Sequence, residues 1–418
     1  MKEQLFSSSF TKKFRSHSKA FTRNRKLSFQ TVFLLILRQD KVGNQQRLDR
    51  YVDFIGKTTS ITAGALTRAR KKLLSEAFIF LNRFLVDSLY QPSGTSGGIT
   101  RILAIDGSKQ KLPDISAIGE EFGRTNNHPS ARPMALASGL FDVVNKLVVD
   151  AVLARCSSDE NRLAHEHLAH LGKGDLVILD RGYKSHWLMC AILLTGADFL
   201  IRLPINSNKK VDEFLESGLR EQVVIFEPSK TSMIRGREME IPINPIRVRL
   251  VRVSLKNGGT EILVTSLIDD SLYPHSIFRN LYALRWGIEE QFKFLKSTIQ
   301  VEAFSGKTPQ AIFQEFHAAV LLGNMQAIVS LDKKARKTRK AETAKRKYDY
   351  KENRTQAVSF LKTKLYDIFL KPALEKTVQR ILEVTAVRCI PIRKNRSNPR
   401  DFSLYKTPKF PMNKAVTA

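Results

Sequence analysis

Between residues 99 and 204 short apolar runs alternate with helical stretches, and this alternation limits the possible folds more than any other feature of the chain. ITRILAID reads as a strand stopped at an Asp-Gly turn, and RPMALASGLFDVVNKLVVDAVLA as two strands joined at Val144-Asn145-Lys146. SSDENRLAHEHLAHLG opens with capping Ser and Asp residues and runs as a helix to Gly172. The strand LVILD, a helix through SHWLMCAILLTG and the strand DFLIRLP follow. This order predicts an α/β fold, a mixed sheet with helices packed on its faces.

The flanks read differently. Residues 1–98 are predicted to form a helical basic N-terminal domain, with 18 Lys plus Arg against 6 Asp plus Glu, a balance that does not choose among RNA, DNA and anionic lipid. Arg68, Arg70, Lys71 and Lys72 are expected on exposed faces suited to phosphate contacts, and QPSGTSGG (91–98) reads as a linker. Residues 99–204 form the first part of the sheet domain. Residues 205–270 carry VVIF, IRVRLVRVSL and EILVTSLI between Gly, Pro and Asn, the pattern of a strand-rich insertion. Residues 271–331 return to helices: SIFRNLYALRWGIEEQFKFLKSTIQ predicts one long helix and 311–331 a buried one. The basic C-terminal region, 332–418, begins with a segment (332–351) holding ten Lys plus Arg against three acidic residues, either a solvated helix or a phosphate-binding arm. Residues 391–418 are aperiodic and expected to be poorly ordered.

Composition names a class of partner. The formal charge is +29 with a pI near 10.1, so a polyanion is the simplest ligand, and 42% hydrophobic residues suffice for a real core. TVFLLIL and HAAVLLGNMQAIVSL fall short of the roughly 20 residues that span a bilayer, so no membrane partner is expected. The N-terminus lacks a secretory pattern, and Cys156, Cys190 and Cys389 make neither a disulfide framework nor a CxxC site, so a cytoplasmic location is expected. No GxxxxGK[ST] loop offers a nucleotide site.

The chemistry is concentrated in three carboxylates. Asp106 in RILAIDGSK and Asp180 in LVILDRGYKS each end an apolar run, and in a sheet of this order their strands can be neighbours. Tyr282, Arg285, Glu289 and Lys296 fall within about 60° of one another at about 100° per helical residue, whereas Glu290 points away from Glu289. Three converging anions need cations to neutralise them. Mg²⁺ or Mn²⁺ suits hard oxygen ligands, and two such ions would activate an attacking oxygen and stabilise a leaving oxygen. Asp114, Asp142 and Asp150 remain competitors that periodicity does not exclude. His165, His167 and His170, near Glu160 and Glu166, could form a metal site but are expected to be exposed helix histidines.

IDGSKQKLPD, DRGY and the spacing Tyr-x₂-Arg-x₃-Glu-x₆-Lys resemble bacterial insertion-sequence transposases with an Asp-Asp-Glu triad, specifically the IS-four family with its Tyr-Arg-Glu-Lys signature. The resemblance covers most of residues 20–330. It implies an RNase H-like catalytic domain interrupted by a β-rich insertion, with Asp106, Asp180 and Glu289 as catalytic metal ligands. It further implies that Tyr282 and Arg285 hold backbone phosphate, that Lys296 contacts DNA, and that Trp286 lies near an unstacked base or in the core. The implied activity is cut-and-paste transposition through a hairpin, by a homodimer assembled on double-stranded DNA in association with the bacterial chromosome. A nuclease of the same architecture, or a regulator that only occupies DNA ends, are the rival readings.

Overall fold

The computed structural model describes residues 1–393 apart from 24, 59, 91–97, 125–130, 206 and 255–257. The linker expected at 91–98 and the aperiodic tail therefore fall almost wholly outside the described residues. The chain divides into two compact units. One comprises Tyr90–Lys109 and Leu136–Phe292; the other comprises Met1–Leu89, Gln110–Ala135 and the chain from Lys293 onward. The N-terminal helices thus belong to the same unit as the C-terminal ones.

The first unit is built on an eight-stranded sheet. Its strands are β1 (Arg101–Lys111), β2 (Met134–Asp142), β3 (Leu147–Arg155), β4 (Asp175–Leu179), β5 (Asp198–Leu203), β6 (Glu221–Phe226), β7 (Ile246–Ser254) and β8 (Thr260–Thr265), in the order β3-β2-β1-β4-β5-β8-β7-β6. β1, β4 and β5 run parallel, whereas β5 with β8, β8 with β7 and β7 with β6 are antiparallel. The β3-β2-β1-β4-β5 half is an RNase H-like mixed sheet, flanked by the Glu160–Glu166 and His186–Leu194 helices. β4 is buried along its whole length, as expected for a central parallel strand that reads as an unbroken apolar run. The insertion is β-rich, with VVIF in β6, IRVRLVRVS in β7 and EILVT in β8. It also contains two helices, Lys209–Glu216 and Lys230–Glu238, and its strands extend the main sheet.

The second unit is helical. Phe29–Leu37 has every residue but Gln30 buried, which accounts for its nearly continuous apolar sequence. Pro309–Leu331, capped by the Thr308 hydroxyl and started by proline, is buried over most of its length. Lys333–Thr343 forms a helix, so the solvated-helix alternative holds for that part of the 332–351 segment. Among the described residues no helix is long and apolar enough to cross a membrane.

Arg70 corrects the expectation that it faces solvent with Arg68, Lys71 and Lys72. It is 7% exposed, and its guanidinium donates to Gln314 Oε1 at 2.6 Å, Glu315 Oε1 at 2.8 Å and the Ala311 carbonyl at 2.7 Å. Helical phase turns Arg70 inward, and the charge is tolerated there because Glu315 is buried beside it. Glu315 also accepts from the Ser305 backbone N–H. Glu315→Ala leaves the Arg70 charge buried and unpaired, and chemical denaturation is expected to show a loss of about 3–5 kcal/mol. A change below about 1 kcal/mol would mean that the pair is solvated.

Candidate active site

Sheet register brings the first two carboxylates together. β1 and β4 pair with Arg101 opposite Asp175 and Ala104 opposite Ile178, and the same 74-residue offset separates Asp106 from Asp180. The pairing ends at Ala104 and Ile178, so Asp106 and Asp180 each lie two residues beyond the last paired positions of neighbouring parallel strands, Asp180 just past the end of β4. Asp106 Oδ1 accepts the Gly107 N–H at 2.9 Å, and Asp180 Oδ1 accepts the Gly182 N–H at 2.7 Å, capping the short Arg181–Tyr183 turn.

The segment that carries Glu289 is not the single long helix expected from its pattern. It forms Phe278–Ala283, a turn at Leu284 and Arg285, Trp286–Phe294, and a π-helical stretch at Leu295–Ile299. Backbone bonds from Arg285 N–H to Tyr282 (3.0 Å), Gly287 to Leu284 (2.9 Å) and Ile288 to Arg285 (3.2 Å) show the tighter winding at the break. Packing on either side accounts for it. Phe278 and Tyr282 lie in a core cluster with Leu176, Leu200 and Leu263, whereas Gly287 approaches Phe141 so closely that an added Cβ would lie 3.4 Å from the ring.

Arg285 is the centre of the resulting site. It is 5% exposed, with Nη2 2.6 Å from Glu289 Oε1 and Nη1 3.8 Å from Asp106 Oδ2. Its Nε is buried and has no hydrogen-bond partner among the described residues. Burial pushes the Asp106 carboxyl up to about 6, with Asp180 and Glu289 adding to the rise and the Gly107 N–H and Arg285 opposing it. The carboxylates thus act on one another through a partly dehydrated space.

The other signature residues are placed separately. Tyr282 is buried, its hydroxyl lacks a partner among the described residues, and burial raises its pKa. Trp286 is 47% exposed and lies 5.4 Å from the Arg285 guanidinium, so it is a surface tryptophan and not a core one. Lys296 falls in the helical unit, in the π-helical stretch, where it is 3.9 Å from Glu302 and burial lowers its pKa. Within the sheet unit, the Arg285 guanidinium lies 6.0 Å from the Tyr282 ring and 2.6 Å from Glu289 Oε1.

The transposase DDE domain family matches residues 97–325, more than half of the sequence. The chain belongs to that family. It is 26% identical over 276 residues to "Transposase InsG for insertion sequence element IS4" of Escherichia coli (strain K12), a match covering 65% of this chain and 61% of that relative. An IS4-type insertion-sequence transposase is thus among the proteins the chain is similar to. A "Putative transposase y4zB" of Sinorhizobium fredii is 23% identical over 184 residues, 44% of this chain and 47% of that protein. The chain therefore spans less than two thirds of the length of either relative. A piggyBac transposase synaptic complex with hairpin DNA aligns with a TM-score of 0.48 at 12% identity, covering 95% of this chain and 86% of that one.

The family generally uses divalent metal ions, and hard carboxylate oxygens suit one; two of the three candidate carboxylates, Asp106 and Glu289, already meet a positive charge at Arg285. Among the described residues, however, no three acidic, His or Cys side chains are already disposed to hold a metal ion. The guanidinium stands where their charges meet.

The competing carboxylates are committed elsewhere. Asp142 is fully buried and accepts from the Val144 and Asn145 backbone N–H groups and from the Tyr90 hydroxyl. Asp114 is on the surface with Arg124 at 2.8 Å. Asp150 lies 2.7 Å from His167 Nδ1, while His167 Nε2 is 3.0 Å from Ser138 Oγ. Burial alone would raise the Asp150 pKa, but the His167 hydrogen bond and charge outweigh it and the net shift is downward. His167 is 0% exposed, against the expectation of exposed helix histidines. The α-helix ends at Glu166 and a 3₁₀ turn at His167–His170 takes over, turning that ring towards β2 and β3.

Two residues reach the site that the sequence reading did not place there: Tyr183 and Glu160, whose Oε2 is 3.4 Å from the Tyr183 hydroxyl. The DRGY quartet was a signal for Tyr183; nothing in the pattern distinguished Glu160 from an ordinary first-turn helix residue. In the helical unit, separately, Lys19, Arg23, Arg25, Lys26, Arg68 and Lys72 line an open cleft of about 820 Å³ without any acidic residue in its wall.

The charge crowding predicts a stability effect. The folded Asp106 carboxyl, near 6, lies above its unfolded value of 3.8, so its favourable contribution is present below pH 3.8 and lost as pH rises through 6. In metal-free protein Asp106→Asn should raise stability by up to about 2–3 kcal/mol above pH 6 and give no gain near pH 3.5. Denaturation at the two pH values measures it, and a loss above pH 6 would show that the pocket is not under charge strain.

Proposed function

We propose that the chain is a DNA transposase that excises and inserts an insertion sequence through Asp106, Asp180 and Glu289. The observation that supports the reading is Arg285 held between Asp106 and Glu289, with Asp180 close enough to raise the Asp106 pKa. A site built to balance anions around a buried cation suits exchange of that cation for Mg²⁺ or Mn²⁺, two ions per site. When bound, such ions activate an attacking oxygen and stabilise a leaving one.

The chain's own residues do the positioning. Asp106, Asp180 and Glu289 would hold the ions, and Arg285 would be released from them towards a backbone phosphate. The partnerless Tyr282 hydroxyl and Arg285 Nε are donors left for that phosphate, because buried polar groups without partners are rare. Trp286 offers an exposed ring at the same segment for an unstacked base. Lys296 would contact DNA further along the chain. The basic cleft of the helical unit would hold duplex end DNA through its phosphates.

In the reaction water attacks a phosphodiester at the element's end and the 3′-oxygen leaves. The freed 3′-hydroxyl attacks the opposite strand to give a hairpin, water reopens it, and the same 3′-hydroxyl joins target DNA. Paired cutting of two ends implies a homodimer assembled on DNA.

The test supplies end DNA, Mg²⁺ and a target plasmid. Asp106→Asn, Asp180→Asn and Glu289→Gln should each reduce cleavage by about 10³-fold or more while leaving end binding within about threefold. Cleavage retained by Glu289→Gln would refute the triad, and cutting without joined products would reduce the protein to a nuclease. Arg68→Ala with Lys72→Ala should weaken binding to all duplexes and lower the slope of log K against log salt by about 2. An unchanged slope would remove the cleft from the DNA path.

A further inference from the structure

The carboxylate of Glu160 stands over the backbone of the Asp106 strand. A Cβ added at Gly107 would lie 3.1 Å from Glu160 Cδ, 3.2 Å from its Oε1 and 3.3 Å from Leu136 Cδ1, so a side chain there would crowd the carboxylate, which would have to give way slightly. From the other direction Tyr183, 1% exposed, donates its hydroxyl towards Glu160 Oε2 at 3.4 Å. Burial opposes ionisation of this phenol, and Glu160, Asp106 and Asp180 each oppose it further, so it remains a donor among three carboxylates. The neighbouring residue ties down the same turn: Asn161 Nδ2 donates to the Gly182 carbonyl at 3.3 Å, and Asn161 Oδ1 accepts from the Ser185 hydroxyl at 3.1 Å. Asp180 is the cap of that turn. Residues 160 and 161 therefore clamp the Asp180 turn, and Glu160 does so from directly above the residue after Asp106.

We propose that Glu160 is a fourth carboxylate of the site, a positioning residue that fixes Tyr183 and through it the Asp180 turn against the Asp106 strand. This rests on the reading of Asp106, Asp180 and Glu289 as the metal-holding triad. It gives the glycine of IDGS a role beyond the turn, because Gly107 leaves the space that the Glu160 carboxylate fills. It also separates Glu160 from an ordinary helix-start glutamate, whose loss would cost a few tenths of a kcal/mol and leave the site unchanged.

The experiment is equilibrium Mn²⁺ binding to the full chain, read by the spin resonance of free Mn²⁺, alongside thermal unfolding. Glu160→Gln should weaken Mn²⁺ binding about tenfold, the scale of changes in groups that orient metal ligands, with Glu160→Asp restoring part of it. Tyr183→Phe should weaken binding in the same direction, and the double variant should be no worse than the weaker-binding single one, since both act through one contact. Gly107→Ala, which crowds the carboxylate without altering any charge, should reproduce the loss. Asp106→Asn is the reference. If it abolishes Mn²⁺ binding while Glu160→Gln and Gly107→Ala stay within twofold of the native chain, the role of Glu160 is overturned and the triad stands. If the native chain binds no Mn²⁺, or Asp106→Asn changes nothing, the triad itself is overturned. Strict additivity of Glu160→Gln and Tyr183→Phe would show that Glu160 does not act through the phenol.

Discussion

The site depends on one guanidinium held among carboxylates. Asp106 and Asp180 lie just beyond the paired stretch of two adjacent parallel strands, and Glu289 adds a third carboxylate; without a cation the three would repel in a partly dehydrated pocket. Arg285 supplies the charge from within the chain, one turn before Glu289 and almost wholly buried. An arginine remains charged under all ordinary conditions, so its place between Asp106 and Glu289 can be vacated only by moving, not by losing a proton. Under the proposed function, cation entry and release of Arg285 towards a phosphate are one exchange, so binding of DNA and of metal would each favour the other.

The rest of the sheet unit supports this arrangement. The insertion does not interrupt the sheet in space, because β8, β7 and β6 continue it beyond β5, and the chain then returns through Phe278 and Tyr282, which pack on the strand cluster. Tyr282 is therefore an anchor as much as a donor: its ring belongs to the core while its hydroxyl is left without a partner. The break at Leu284 and Arg285 follows from two packing demands on one short segment, and it turns Arg285 inward beside an exposed Trp286.

Much of this was legible in the residues. Apolar runs marked β1 to β5 in order, and β-branched runs between Gly, Pro and Asn marked β6, β7 and β8. Asp106 and Asp180 stood out because each ended such a run, and Glu289 because it shared a helical spacing with Tyr282, Arg285 and Lys296, of which the Arg285–Glu289 interval is a direct contact in the structure. The direction of single residues was less legible. Arg70 looked like a surface cation and lies in the core, since the carboxylate that receives it, Glu315, is 245 residues away in the sequence. His167 looked exposed and is buried, since a change from α to 3₁₀ winding re-aims a ring without altering the polar pattern around it.

The sequence by itself determined the order of strands and helices and the large positive charge, because periodicity and composition are local properties, and its motif resemblance singled out the three acidic positions on which the functional reading rests. Only the tertiary structure decided which cation meets which carboxylate, that Asp142 and Asp150 have other partners, and that Glu160 and Tyr183 stand beside the site. Those choices depend on strand register and on where a helix gives way to a turn. Both are fixed by packing between segments far apart in the chain, and a shift of one residue in either would send a side chain to the opposite face.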